Sequence, residues 1–195
     1  MDTSYVGSMT PPGGGNNPVD PRFMSLFAVI NITSPSREDT EEIFKKIMRA
    51  HLVEFPQEIQ GIVENLTRAT TKLFYTIVEK LPRTPLKFHY IFNLRDISRV
   101  FQGMCLMTLD KFTTKEKTVR LWRNETTRVF VDRLINAEDK NLVNGEILPP
   151  LVKEFFADVE QPVLANPLLF GDFAKAEGAE ESEEPRLYED LGGYE

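Results

Sequence analysis

Two arginines one helical turn apart stand out first, Arg95 and Arg99 in the string Asn93-Leu-Arg-Asp-Ile-Ser-Arg99. A guanidinium presents a planar fork of N–H donors that matches phosphate oxygens, so such a pair on the polar side of an apolar helix can clamp a polyphosphate. The same side chains can instead pair with Asp96 and its neighbours at about 0.3–0.5 kcal/mol each, and residue type alone favours this plainer reading. Gly13-Gly-Gly15 is a second candidate. A glycine loop cradles phosphate only ahead of a helix N-terminus, and a P-loop needs GxxxxGK[ST]. No such string occurs, so by itself the loop reads as a turn. Arg22, between a Pro-rich turn and an apolar run, is unremarkable alone. His51 and His89 lie far apart and Cys105 has no second cysteine, which leaves no zinc site or Cys/His nucleophile pattern. Both histidines read as structural, and Cys105, on an apolar helix face, as an inert thiol.

The elements that would position these residues are mostly helical. Met1 to Pro21 is rich in Gly, Pro and Asn, which break regular structure. Ser4–Met9 and the β-branched run Ala28–Ile32 read as short strands. From Ser36 onward the pattern is helix. Ser36 with Asp39 has capping-box spacing, and Ile43, Phe44, Ile47 and Met48 form an apolar stripe. A longer stripe follows Pro56, from Ile59 through Leu66, Leu73 and Ile77 to Leu81, where Pro82 stops it. Lys87–Phe92 reads as a short strand or an extended lead-in to a helix capped by Asn93 and Asp96, with Ile97, Val100, Phe101 and Met104 inward. A helix over about 115–135 puts Val119, Trp122, Thr126, Val129 and Phe130 on one stripe. Arg120, Arg123, Arg128 and Arg133 on it read as a solvated face or a helix–helix contact. Another helix, over about 138–159, is expected to bend at Pro149-Pro150. Two short apolar clusters, at 167–173 and 187–191, read as segments lying along a partner surface.

Hydrophobic residues make up 41% and charged residues 27% of the 195, enough for a sizeable core. The net charge of −7 lies wholly in residues 172–195, where nine acidic side chains face Lys175 and Arg186. A neutral body gives no basic face for nucleic acid. No apolar run reaches the roughly 18–20 residues of a membrane span, so neither nucleic acid nor membrane is expected as a partner. The run Glu177–Glu184 reads as a solvated segment.

Taken in order, Met9-Thr-Pro-Pro-Gly-Gly-Gly-Asn-Asn-Pro-Val-Asp-Pro-Arg-Phe23, Phe88-His-Tyr-Ile-Phe-Asn-Leu-Arg-Asp-Ile-Ser-Arg-Val-Phe-Gln-Gly103, Leu121-Trp-Arg-Asn-Glu-Thr-Thr-Arg-Val-Phe-Val-Asp-Arg-Leu134 and Leu169-Phe-Gly-Asp-Phe173 resemble the dynein heavy chain of axonemal type. Their spacing is similar to that of its third AAA+ module, from the sensor 1 region through the lid. The resemblance implies a mainly α fold, an AAA+ small (lid) helical bundle preceded by a short β remnant of the α/β core. It implies a remnant of the large subdomain at 1–35, a helical lid at 36–160 and an acidic extended connector toward the next module at 161–195. Arg95 would be the sensor 2 arginine, with Arg99 beside it; Thr10 falls near sensor 1, and Arg22 near the face toward a neighbouring module. Asn16 stands where axonemal relatives usually carry Arg.

The function implied is that of part of an ATP-driven microtubule motor of cilia or flagella, sensing nucleotide and passing conformational change around a ring. ATP or ADP with Mg would be cofactors of the whole motor. Neighbouring AAA+ modules, dynein intermediate and light chains and microtubules would be its partners, in the cytoskeleton of the axoneme. No Walker A lysine or Walker B acidic pair is present, so the chain by itself is expected to be inactive and to bind nucleotide weakly. A helical protein-interaction module without nucleotide chemistry is the alternative.

Overall fold

The computed structural model describes residues 3–9, 17–172 and 188–192. Thr10, Gly13–Gly15, Asn16 and the acidic run Glu177–Glu184 lie outside them. The chain divides into two units, Met1–Pro35 and Ser36–Glu195.

In the first unit, Asp20 accepts a hydrogen bond from the Arg22 amide at 2.8 Å and starts a four-residue helix, α1 (Pro21–Met24), with Pro at its first position. The Phe23 and Phe27 rings lie 5.1 Å apart. Ser4–Met9 and Ala28–Ile32, expected as strands, carry no regular element, and Val29, Ile30 and Ile32 stay exposed. A strand exists only where its N–H and C=O groups find a neighbouring ladder. No described residue supplies one to these segments.

The second unit is helical. α2 (Arg37–His51) begins at a complete capping box: the Asp39 amide donates to Ser36 Oγ at 3.0 Å, and the Ser36 amide donates to the Asp39 carboxylate at 3.2 Å. The stripe expected as one helix up to Leu81 divides into α3 (Gln57–Gly61) and α4 (Val63–Lys80). The turn at Ile62, whose amide reaches back three residues to the Ile59 carbonyl, follows a glycine and lets both Ile62 and Val63 bury. Residues 87–90 form turns rather than a strand, because Tyr90 turns inward and is almost wholly buried. α5 (Leu94–Met104) follows.

The long helix is α6 (Lys115–Thr126), continued by a π-helical turn at Thr127–Val131 in which the Asp132 amide bonds the Thr127 carbonyl five residues back. The expected bend at the proline pair takes a similar form. α7 (Ala137–Asn141) runs into a π turn at Leu142–Ile147, and α8 (Leu148–Phe155) restarts with the prolines in its first turn, where their missing N–H groups cost least. α9 (Glu160–Leu164) closes the helices, and β1 (Phe170–Gly171) pairs antiparallel with β2 (Glu189–Asp190). The two C-terminal clusters thus meet each other.

The core forms where α2 lies on α4, α4 on α8, α5 on α6 and α6 on α9. Leu66, Leu73, Ile77, Ile97, Val119 and Trp122 are fully buried, each large apolar side chain stabilising by about 1.5–3 kcal/mol. The Phe44 and Phe101 rings stack at 4.7 Å, joining α2 to α5. Trp122 donates its indole N–H to Thr70 Oγ1 at 2.8 Å, satisfying its one polar atom in the centre.

Candidate functional site

The start of α5 is built from the backbone upward. Asn93 Oδ1 accepts from the Arg95 amide at 2.9 Å, and the Asp96 carboxylate accepts from the Asn93 amide at 3.0 Å. This box fixes where α5 begins and points residues 95 and 99 along its polar side. Asp96 is buried and also accepts from Arg133 Nη2 at 2.6 Å. Arg133 donates in addition to the carbonyls of Ile91 at 3.1 Å and Val129 at 3.0 Å, and lies over the Phe92 ring at 5.2 Å. One arginine after the π turn therefore holds the lead-in and the cap of α5 together.

Arg95 and Arg99 sit on the exposed side of this rigid start. Arg99 approaches Asp96 Oδ1 at 3.6 Å, a loose ion pair with the arginine half exposed. Among the described residues the Arg95 side chain has neither a hydrogen bond nor an ion pair. Its guanidinium is available to an external anion, whereas Asp96 and Arg133 neutralise each other beneath it. Arg22 is exposed in the first unit. Thr10 is outside the described residues, so the geometry bears on Arg95 and Arg99 alone.

Beside this cap lies a second buried network that the sequence reading did not single out. Asp139 accepts from Lys87 Nζ at 2.6 Å and from the Tyr90 hydroxyl at 2.8 Å, and Tyr90 in turn accepts from the Ile135 amide at 3.2 Å. Burial works to raise the Asp139 carboxyl, but the Lys87 and Tyr90 hydrogen bonds outweigh it and hold it below the usual carboxylate range. Burial pushes the Tyr90 phenol upward. The network pins the 84–93 loop from which α5 departs.

Other cationic clusters are internally balanced. The cleft of about 210 Å³ bordered by Arg37, Arg68 and Lys72 also holds Glu41 and Glu154. Lys72 is paired with Glu154 at 2.6 Å, and Arg37 lies over Tyr75 at 4.2 Å. That leaves little to attract phosphate. The histidines have structural surroundings: His51 Nε2 is 3.2 Å from the Met107 carbonyl, and buried His89 lies edge-on to Tyr90. Burial pushes the Cys105 thiol up, away from the reactive thiolate. Among the described residues, no three of His, Cys, Asp and Glu gather as a metal site, and no helix is long and apolar enough to cross a membrane.

Comparison with known proteins bears on this arrangement. The AAA+ lid domain family matches residues 66–166, from α4 to the segment before β1, and so includes Arg95, Arg99, Asp96 and Arg133. The family described as the P-loop containing dynein motor region matches residues 1–35. Across 99% of its length the chain is 47% identical to the dynein-1-alpha heavy chain of the flagellar inner arm I1 complex of Chlamydomonas reinhardtii. It is 47% identical over its full length to human dynein axonemal heavy chain 10, and 39% identical over 97% of it to mouse dynein axonemal heavy chain 2. It spans 4% of the length of each of these relatives. The chain therefore belongs to the AAA+ lid-domain family, in the form carried by axonemal dynein heavy chains.

Proposed function

We propose that this chain is the nucleotide-sensing and conformation-transmitting part of the third AAA+ module of an axonemal dynein heavy chain, an ATP-driven microtubule motor. In this reading residues 36–160 are the lid, 1–35 are the remnant of the large subdomain, and 161–195 lead toward the next module. Arg95 is the sensor 2 arginine that meets the nucleotide phosphates. Arg99 adds charge beside it, Thr10 serves near sensor 1, and Arg22 faces a neighbouring module.

The observation that supports it is the contrast at the start of α5. Asp96 and Arg133 are locked together at 2.6 Å, while Arg95 is exposed and without a side-chain partner among the described residues. A cation on a rigid helix start, unpaired within its own lid, suits an anion that comes and goes. Binding there would pull on α5 and, through Asp96 and Arg133, on the end of α6. These residues fit a phosphate tail but not the whole nucleotide cradle. Hydrolysis needs a Walker A lysine, a metal and a positioned water, and this sequence holds no such lysine. ATP or ADP with Mg is thus assigned to the complete motor, as are the neighbouring modules, the intermediate and light chains, microtubules and the axonemal location.

The test is Arg95→Ala in a full-length heavy chain carrying this segment, read by release of a fluorescent ADP analogue. Loss of one charge-assisted hydrogen bond, about 1.5–3 kcal/mol, weakens retention at this module by about ten-fold or more, with Arg95→Lys intermediate. Retention unchanged by Arg95→Ala removes the sensor assignment.

A further inference from the structure

Residues 188–191 lie in a seat made of side chains that the nucleotide reading does not use. Arg120, on the inner side of α6, is 8% exposed and donates Nε to Asp190 Oδ2 at 2.7 Å. Its other nitrogens donate to the carbonyls of Pro162 at 2.7 Å and Pro167 at 3.2 Å. Those bonds hold the guanidinium in place from behind. One turn on, Arg123 donates to the carbonyls of Val163 at 2.9 Å and Ala165 at 3.0 Å, and to Asn166 Oδ1 at 3.0 Å. The segment leading to β1 is thereby stapled to α6.

Each residue of Tyr188–Leu191 then has its own partner. The Tyr188 ring lies 5.9 Å from that of Phe170, and its hydroxyl donates to Glu125 Oε1 at 3.1 Å and accepts from Asn124 Nδ2 at 3.0 Å. Glu189 pairs with Lys111 at 2.6 Å. Asp190 takes the buried Arg120. The backbone adds a strand beside β1, with Phe170 opposite Asp190 and Gly171 opposite Glu189, and the Leu191 amide donates to the Leu169 carbonyl at 2.9 Å. Main-chain pairing beside pockets for an aromatic and two acids is how a sheet edge recognises an extended peptide. Burying an arginine this deeply also makes an acid at position 190 a requirement, since an unpaired buried charge is costly.

We propose that α6, the segment 162–169 and β1 form a docking site for an extended peptide of the pattern Tyr-acid-acid-Leu, filled in this chain by its own residues 188–191 and able to accept the same motif presented in trans. This is independent of the nucleotide reading. The cis occupant enjoys an effective concentration of about a millimolar, so a free peptide enters only when the tether is weakened.

The probe is a fluorescein-labelled peptide of residues 186–195, read by anisotropy on full-length variants whose helicity is checked by circular dichroism. The parent chain shows less than about one-twentieth occupancy at about 50 µM peptide, because its own segment competes. Asp190→Lys frees the seat, and the peptide then binds. A peptide carrying Asp190→Lys or Tyr188→Ala binds that same variant at least ten-fold more weakly, with no further change to the protein. Where Asp190→Lys does not fold, Tyr188→Ala in the full chain serves as the opened form. Equal binding to the parent and the opened variant, no binding to the opened variant at about 1 mM, or equal binding of a scrambled peptide would each overturn the proposal.

Discussion

Replacing Gly103 by alanine should destabilise the second unit although alanine is the better helix former. A Cβ built at Gly103, near the end of α5, would lie 1.9 Å from Glu125 Oε2, 2.3 Å from its Cδ and 2.8 Å from its Cγ. The whole end of that side chain would have to move. Glu125 is 1% exposed and held by Arg128 through Nε at 3.0 Å and Nη2 at 2.5 Å, by Asn124 at 3.2 Å and by Tyr188 at 3.1 Å. Alanine gains at most about 1 kcal/mol in a helix interior, and less near its end. Displacing a buried carboxylate forfeits charge-assisted bonds of about 1.5–3 kcal/mol each, of which Arg128, itself half exposed, recovers part from water. The balance is a loss of about 2 kcal/mol, or roughly 4–8 °C in Tm for a unit of this size. Urea melts followed by the fluorescence of buried Trp122 read the loss directly. Glu125→Ala on top of Gly103→Ala removes the clashing atoms, so the second change should cost much less there than in the parent. Gly103→Ala as stable as the parent would refute the reasoning, for it would show that Glu125 moves freely.

Two further outcomes follow from the ionisation states. The Asp139 carboxyl is held low in the folded chain, so its contribution is present above the ordinary carboxylate range and lost as pH falls through its folded value; Asp139→Asn should cost about 1–3 kcal/mol at neutral pH and flatten the acid limb of the stability curve, measured by melts from pH 7 to pH 3. The Tyr188 phenol is pushed up to about 12, first by burial and then by Glu125, so the folded chain keeps a proton that the unfolded chain sheds near 10. The stability this carries is full below about pH 10 and falls between about 10 and 12. An ultraviolet titration should show one tyrosine ionising late, and Tyr188→Phe should remove that step.

The features legible in sequence are those written in near neighbours. Ser36 with Asp39 and Asn93 with Asp96 stand three residues apart, and both boxes form as read. The periodic apolar residues, Trp122 among them, make the core. Features that depend on remote partners were not legible. Asp96 reads as a cap, and nothing local shows that it also holds Arg133, 37 residues on. Arg120 reads as one of four similar arginines, yet it alone is paired with Asp190, 70 residues away, in a nearly dry setting. The pattern at 28–32 is that of a strand, but a pattern supplies no neighbour to pair with. Arg95 could be placed on a polar helix side from spacing; its lack of a partner required coordinates.

The π turns at 127–131 and 142–147 carry a consequence for how this segment can vary. Each holds one residue more than an α-helical turn at that place would. Since a helix advances about 100° per residue, deleting one amino acid from the first turn would let the α-helix run straight and swing everything after it by over a quarter of a revolution. Arg133 would then leave Asp96, and Leu134 would turn outward. Chain length between Trp122 and Leu134 is therefore as constrained as side-chain identity, and one-residue insertions or deletions there should be far less tolerated than conservative replacements.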